Sequence, residues 1–213
     1  HVNPDKIKVI YQGCDDSFKH PVDDEKKHKV RLLYGLPMRY ILNVGSIEER
    51  KNVMLAVKAL HKLPDEVKLV IVGKQTTYTN QVLDYIDENN LHSRVLIISN
   101  LSFEDLPAVY QMAETFVYPS RYEGFGIPII EAINSGVPVV ACTGSCLEEA
   151  GGPHSLYVSP DDTDGMAEAV NRSLKGMEGR EERITKSKEY VQRFENTDTT
   201  EEVIKEYRNI LNQ

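Results

Sequence analysis

The sequence is short of three things, and each shortage removes a class of function. Cysteine occurs three times in 213 residues, at Cys14, Cys142 and Cys146. An odd set cannot pair completely and none lies in a Cys-x-x-Cys, so a disulfide scaffold is excluded and reduced thiols in a cytosolic protein are expected. Basic charge is in deficit: 25 Lys and Arg face 33 Asp and Glu, a net charge of −8. A nucleic-acid surface needs the opposite sign, so no nucleic-acid partner is expected. No apolar run approaches the roughly 20 residues that cross a bilayer, and no signal-peptide pattern follows His1.

Catalytic and metal signatures are scarce as well. His20, His28, His61, His92 and His154 are scattered, without a His-x3-His or the Cys/His spacing of a zinc site. Ser120 lacks the G-x-S-x-G elbow of a hydrolase nucleophile. No G-x-G-x-x-G follows an early strand, which argues against a dinucleotide-dependent oxidoreductase. Neither an internal repeat nor a low-complexity linker is visible.

What is present is a globular composition, 40% apolar and 27% charged, long enough for one substantial core. Short apolar runs alternate with helical patterns roughly every 25 to 30 residues. The runs 40–45, 67–73, 94–98, 115–118, 137–142 and 155–158 read as strands, and Ile7 to Tyr11 as a further short one. The spacing predicts helices over 22–36, 52–63, 79–89, 163–176, 179–194 and 198–212. Others start at 102 and 127, with a short one near Leu147. Gly35, with Pro37 beyond it, ends the first helix. Ser102 reads as an N-cap with Asp105 in the capping-box position. This pattern is that of an α/β domain, a Rossmann-like parallel sheet with helices on both faces. Ligands in such sheets bind at the carboxyl ends of the strands, and Gly45, Gly73, Asn100 and Ser120 all fall there.

The most informative stretch runs from Pro119 to Ala132: Pro-Ser-Arg-Tyr-Glu-Gly-Phe-Gly-Ile-Pro-Ile-Ile-Glu-Ala. It follows an apolar strand and opens a helix with Pro128 in its first turn, where a missing N–H is harmless. Gly124 and Gly126 let the backbone turn tightly and a ligand approach closely. A glycine-bearing loop entering a helix presents free N–H groups and the positive end of a dipole, which suits a phosphate. Glu123 stands before the loop and Glu131 about one turn into the helix, two acceptors suited to hydroxyls. Phosphate flanked by hydroxyls describes a sugar nucleotide.

This stretch, with the following Gly136-Val137-Pro138-Val139-Val140-Ala141, resembles the donor-binding motif of the family-4 retaining glycosyltransferases, which have the two-domain GT-B fold. The resemblance covers Lys6 to about Arg193. It implies that Glu123 contacts hydroxyls of the donor sugar and that Glu131 holds the nucleotide ribose. Backbone N–H groups around Gly124, Phe125, Gly126 and Ile127 are then expected at the sugar and phosphates. The segment Gly45-Ser46-Ile47-Glu48-Glu49-Arg50-Lys51 is similar to the family's second signature, a Gly followed by an Arg/Lys pair that neutralises the diphosphate. That assigns Arg50 and Lys51 to the leaving group, with Gly45 and Ser46 beside it. Ser46 stands where many members carry another Arg. At Ser99-Asn100-Leu101, where Ser99 replaces the usual Gly, the resemblance implies a base contact from Asn100 and Leu101.

The catalytic candidates are therefore Glu123, Lys51 and Arg50. The binding candidates are Glu131, Gly124, Phe125, Gly126, Ile127, Gly45, Ser46, Asn100 and Leu101. No metal or other cofactor is expected. Asp162-Thr163-Asp164 spells the DxD of metal-dependent transferases of another fold, but it precedes an amphipathic helix and reads as a cap. Residues 1–20 are expected to enter from a missing N-terminal acceptor domain, 21–195 to form the donor-binding domain and 196–213 a C-terminal helix. That helix commonly crosses back to the first domain, which leaves Val203, Ile204, Tyr207 and Leu211 exposed here.

The expected partners are a nucleoside-diphosphate sugar and, through the missing domain, an acceptor glycan or lipid-linked saccharide. Localisation reads as cytoplasmic, with any membrane contact peripheral and carried by the missing domain. A glycosidase using Glu123 and Glu131 is disfavoured, because a retaining pair needs carboxyls about 5–5.5 Å apart across one bond. A non-catalytic nucleotide-binding module and a nucleotide-sugar 2-epimerase of the same architecture stay open as alternatives.

Overall fold

The computed structural model describes residues 2–195 and 199–211. Its centre is a six-stranded sheet of β1 (Tyr40–Val44), β2 (Lys68–Val72), β3 (Val95–Ile98), β4 (Thr115–Tyr118), β5 (Val139–Cys142) and β6 (Leu156–Val158). Every pairing is parallel, and the order is β3-β2-β1-β4-β5-β6. The helices are α1 (Asp24–Tyr34), α2 (Val53–Ala59), α3 (Thr79–Glu88), α4 (Leu106–Met112), α5 (Ile127–Asn134), α6 (Leu147–Gly151), α7 (Thr163–Ser173), α8 (Arg180–Glu195) and α9 (Thr199–Leu211).

Strands buried on both faces must be apolar throughout, and alternate residues feed two separate cores. Tyr40, Leu42, Phe116 and Val139 point to one core, filled by α1, α4, α5, α6 and α8. Ile41, Ile71, Val117 and Val140 point to the other, filled by α2, α3 and α7. Gly35 ends α1 in the left-handed conformation, φ 65°, as its position after the helical pattern requires.

Two sequence expectations are corrected. Residues 7–11 form no strand: Ile7 and Val9 are exposed, and the segment joins neither edge of the sheet. Alternation alone cannot make a strand without a free edge beside it. The segment is held instead by Tyr11 and Cys14, which pack against the core. At the second site, Ser102 caps as expected, accepting from Glu104 N, but Asp105 does not reach back to it. Asp105 accepts from the Tyr34 hydroxyl at 2.9 Å and pairs with Lys26 at 3.5 Å.

The C-terminal helix forms, although residues 196–198 and 212–213 of the expected segment lie outside the described residues. None of its described residues is buried, and Ile204, Tyr207 and Leu211 are exposed, as expected; Val203 is half-buried. Cys14, Cys142 and Cys146 are all free thiols.

Candidate functional site

The strand order reverses between β1 and β4, so the chain leaves these neighbours in opposite directions and a crevice opens at their carboxyl ends. The loop after β1 (45–52) and the loop after β4 (119–126) form its walls. Hydrogen bonds tie the walls to each other and to the turn after β6. Arg121 N donates to Arg50 O at 2.8 Å, and the Asn52 amide donates to Pro119 O at 3.1 Å and Pro160 O at 2.9 Å. Asn52 itself adopts φ 54°, a left-handed conformation asparagine tolerates.

Lys51 reaches the crevice across Gly45. A Cβ at Gly45 would stand 3.1 Å from Lys51 Nζ, so the missing side chain is what clears the lysine's path. Gly73, at the end of β2, is required by closer packing still: a Cβ there would lie 2.0 Å from the Gly45 carbonyl oxygen. Lys51 Nζ donates to Glu123 Oε1 at 3.0 Å and to the Tyr118 hydroxyl at 3.2 Å. Arg50 Nη1 reaches Glu123 Oε2 at 3.1 Å and Tyr122 O at 3.2 Å, while its Nε bonds Glu48 at 3.0 Å. Ser46 donates its hydroxyl to Glu48.

Glu123 also accepts from the Tyr118 hydroxyl at 3.0 Å and from Ser120 Oγ at 2.9 Å. Burial opposes its ionisation, but the donors from Lys51, Ser120 and Tyr118 outweigh burial and hold the carboxyl below its ordinary range. The Tyr118 phenol is pushed far up, by burial first and by Glu123 second, so it stays protonated as a donor.

Gly126 takes φ 135° at the mouth of α5, and a Cβ there would lie 3.0 Å from Ala150 Cβ. Gly124 has neither constraint: its φ is not positive and a Cβ would meet nothing within 4 Å. The tight turn therefore belongs to Gly126, and Gly124 leaves open space. No side chain caps α5, and among the described residues no acceptor takes a bond from the backbone N–H of Phe125, Gly126 or Ile127. These amides face the requirements of an anion site. Glu131 accepts from the Tyr110 hydroxyl at 2.9 Å. Its carboxyl is raised by burial, and the Tyr110 bond only partly offsets this.

The structure thus brings Arg50, Lys51, Glu123 and the residues around them into one cluster, with Glu131 one turn into α5. Asn100 and Leu101 follow β3, with β2 between that strand and β1. Asn100 is exposed beside Tyr34 and Ile98, and no described hydrogen bond joins either residue to the Lys51–Glu123 cluster. Asp162 accepts from Gly165 N at 2.8 Å as the N-cap of α7, and Asp164 pairs with Lys62 at 2.6 Å. Among the described residues no group of three His, Cys, Asp or Glu side chains is placed to hold a metal ion. Sequence reasoning missed Tyr110, Tyr118, Ser120 and Asn52 as partners of the site. Tyr118 stands just before the motif and Ser120 inside it, and both could have been read as donors; Tyr110 and Asn52 carry no local signal.

The model of the family described as glycosyl transferases group 1 matches residues 24–190. This chain belongs to that family. Its Rossmann-like sheet is one half of the GT-B architecture of the group 1 glycosyltransferases. O-antigen chain mannosyltransferase B of Escherichia coli is 31% identical over 173 residues, covering 79% of this chain and 45% of that protein. O-antigen chain mannosyltransferase RfbU of Salmonella typhimurium is 31% identical over 195 residues, covering 92% of this chain and 51% of that protein. The chain therefore spans about half the length of these curated relatives. Among solved structures, a glycosyltransferase from Rickettsia africae superposes with a TM-score of 0.88 at 23% identity, covering 99% of this chain and 59% of that one. Sucrose-phosphate synthase from Thermosynechococcus elongatus gives 0.82 at 26% identity, covering 96% and 52%.

Proposed function

We propose that this glycosyltransferase chain is a donor-binding domain, residues 21–195, that holds a nucleoside-diphosphate sugar for retaining transfer to an acceptor hydroxyl. The observation that carries the reading is the meeting of Arg50 and Lys51 with Glu123 across the switch-point crevice, at 3.0–3.1 Å, before an uncapped helix N-terminus. In this arrangement Glu123 serves as a stand-in anion for the two cations. When a diphosphate enters, Lys51 and Arg50 turn toward it, and Glu123 is freed to accept from sugar hydroxyls. The α5 amides supply further positive potential where charge builds on the leaving group. Glu131, half-buried with one described donor, has lone pairs left for a ribose hydroxyl.

Two further points support the reading. Anabaena HepE, solved with UDP-glucose, shares this fold with a TM-score of 0.84, although at 20% identity it speaks for the fold alone. The two curated relatives named above are mannosyltransferases, so a mannosyl donor is the first sugar to try. In this proposal the acceptor site belongs to residues outside this chain, with residues 1–20 and α9 leading to it. The acceptor is a glycan or lipid-linked saccharide.

The test is calorimetric titration without metal, using UDP, GDP, ADP and their common sugar conjugates, on the chain and on its Glu131→Ala and Lys51→Ala variants. One nucleoside diphosphate is expected to bind, and both substitutions to weaken it. The chain alone is expected to transfer little or no sugar. Efficient transfer by the isolated chain, or binding that ignores both substitutions, would refute the proposal.

A further inference from the structure

Between Gly124 and Gly126 the loop carries one side chain, Phe125. A residue flanked by glycines has wide backbone freedom, so whatever fixes Phe125 fixes the amides on either side of it. Two kinds of contact do so. The Cys146 thiol donates to the carbonyls of Phe125 at 2.9 Å and Glu123 at 3.2 Å. The Phe125 ring lies 5.7 Å from the ring of Tyr11 and 5.3 Å from that of Phe194, and Tyr11 and Phe194 are themselves 5.2 Å apart. All three distances are within the range of favourable aromatic contact, so each ring of the triangle touches the other two.

Neither partner ring is loose. Tyr11 has its hydroxyl on the Glu149 carboxylate and its carbonyl on the Thr199 hydroxyl at 3.0 Å. Phe194 is buried at the end of α8, and the Arg193 guanidinium lies 5.5 Å over its ring and 6.0 Å over that of Tyr11. Both rings come from segments far from the loop in sequence. Tyr11 belongs to the irregular stretch 7–15, which pays for its lack of secondary structure with these contacts.

We propose that Tyr11 and Phe194 are positioning residues for the anion-binding loop: their rings hold Phe125, and through it the N–H groups of Phe125, Gly126 and Ile127, in the arrangement that receives a diphosphate. A loop released from the rings populates this arrangement only part of the time, and apparent affinity falls by that fraction. The ligand named here rests on the donor-binding reading above; the ordering of the loop does not.

The experiment has two arms, on the whole chain and on Tyr11→Ala and Tyr11→Phe. In ¹⁵N relaxation of the ligand-free protein, Tyr11→Ala is expected to lower the order parameters of 124–127 from about 0.85 toward 0.6, leaving β1 and β4 unchanged. Tyr11→Phe keeps the ring and is expected to retain the parental values. In titration, Tyr11→Ala is expected to weaken the nucleoside diphosphate about tenfold and the parent nucleoside less than twofold, with Tyr11→Phe restoring both. A loop that stays rigid in Tyr11→Ala overturns the proposal, as does an equal loss for nucleoside and diphosphate. If the parent chain binds no nucleoside diphosphate, the donor reading fails, and the relaxation arm still decides the positioning claim. Should Tyr11→Ala fail to fold, Tyr11→Leu keeps apolar bulk without the ring and takes its place in both arms.

Discussion

Replacing Lys51 with alanine tests the electrostatics of the crevice most directly. Lys51 Nζ lies 3.0 Å from Glu123 Oε1, and the two side chains are 15% and 11% exposed. At an effective dielectric constant near 20, unit charges at this distance attract by about 5 kcal/mol before desolvation is counted. Removing one partner of a fully buried pair costs about 3–5 kcal/mol, mostly from the charge left behind. Here Arg50, Tyr118 and Ser120 stay on the carboxylate after Lys51 has gone. The expected loss is therefore smaller, about 1–2 kcal/mol, or roughly 2–8 °C in Tm at pH 7 for a domain of this size.

The pH dependence separates this account from simple loss of packing. Burial pushes Glu123 up, and Lys51 heads the donors that bring it below its ordinary value. A carboxyl with a depressed folded pKa contributes stability above its unfolded pKa of about 4.3 and loses it as pH falls through the folded value. Without Lys51 the largest of these donors is gone, so the depression shrinks and less stability is gained as Glu123 ionises. The gap in Tm between parent and Lys51→Ala is expected to be widest near pH 7 and to narrow steadily as pH drops through about 4. Differential scanning calorimetry from pH 3.5 to 7.5 gives the answer. A gap constant across that range would show that Lys51 acts by packing alone. Arg50→Ala, whose side chain is 47% exposed, is expected to move stability by no more than about 1 kcal/mol.

Three further outcomes follow from the geometry. Gly126→Ala is expected to destabilise by about 1–3 kcal/mol, from its φ of 135° and the contact with Ala150, whereas Gly124→Ala stays within about 0.5 kcal/mol; paired melts separate them. On the donor-binding proposal Gly124→Ala is nonetheless expected to weaken nucleoside diphosphate binding, because its Cβ enters open space beside the α5 amides. Glu131, raised by burial, loses stability as pH rises through its folded pKa, so Glu131→Gln is expected to keep or raise Tm at pH 7 while weakening nucleotide binding in titration. Helix α9 buries no described residue, so hydrogen exchange in the monomer is expected to be fast across 199–211, and strong protection there would count against the exposed-helix reading.

How much of this was legible in the sequence depends on whether the determining contacts are local. Strands of a parallel sheet covered on both faces are continuous apolar runs, so β1, β2, β4 and β5 could be read without knowing their neighbours. Ile7 to Tyr11 has an equally plausible pattern and fails, because a strand also needs an edge, and the sheet's edges at β3 and β6 are elsewhere. The site divides in the same way. Gly126 and the uncapped start of α5 are properties of a short stretch, and the spacing of Glu123 and Glu131 displays them. That Lys51 crosses Gly45 to reach Glu123 is a property of two loops that only the strand order makes neighbours.

Tyr110 is the clearest case of a contact the sequence hides. In sequence it is one more aromatic on the apolar face of α4. In the fold it is buried with its hydroxyl 2.9 Å from Glu131. That single bond leaves a half-buried carboxylate with lone pairs to spare and a pKa raised by burial. Stability alone does not favour such a group, since an apolar residue would fill the place at less cost. In the proposed function a ligand hydroxyl supplies a second donor and lowers that cost on binding. On the donor-binding proposal, Glu131 is half of a hydrogen-bonding arrangement whose other half arrives with the nucleotide.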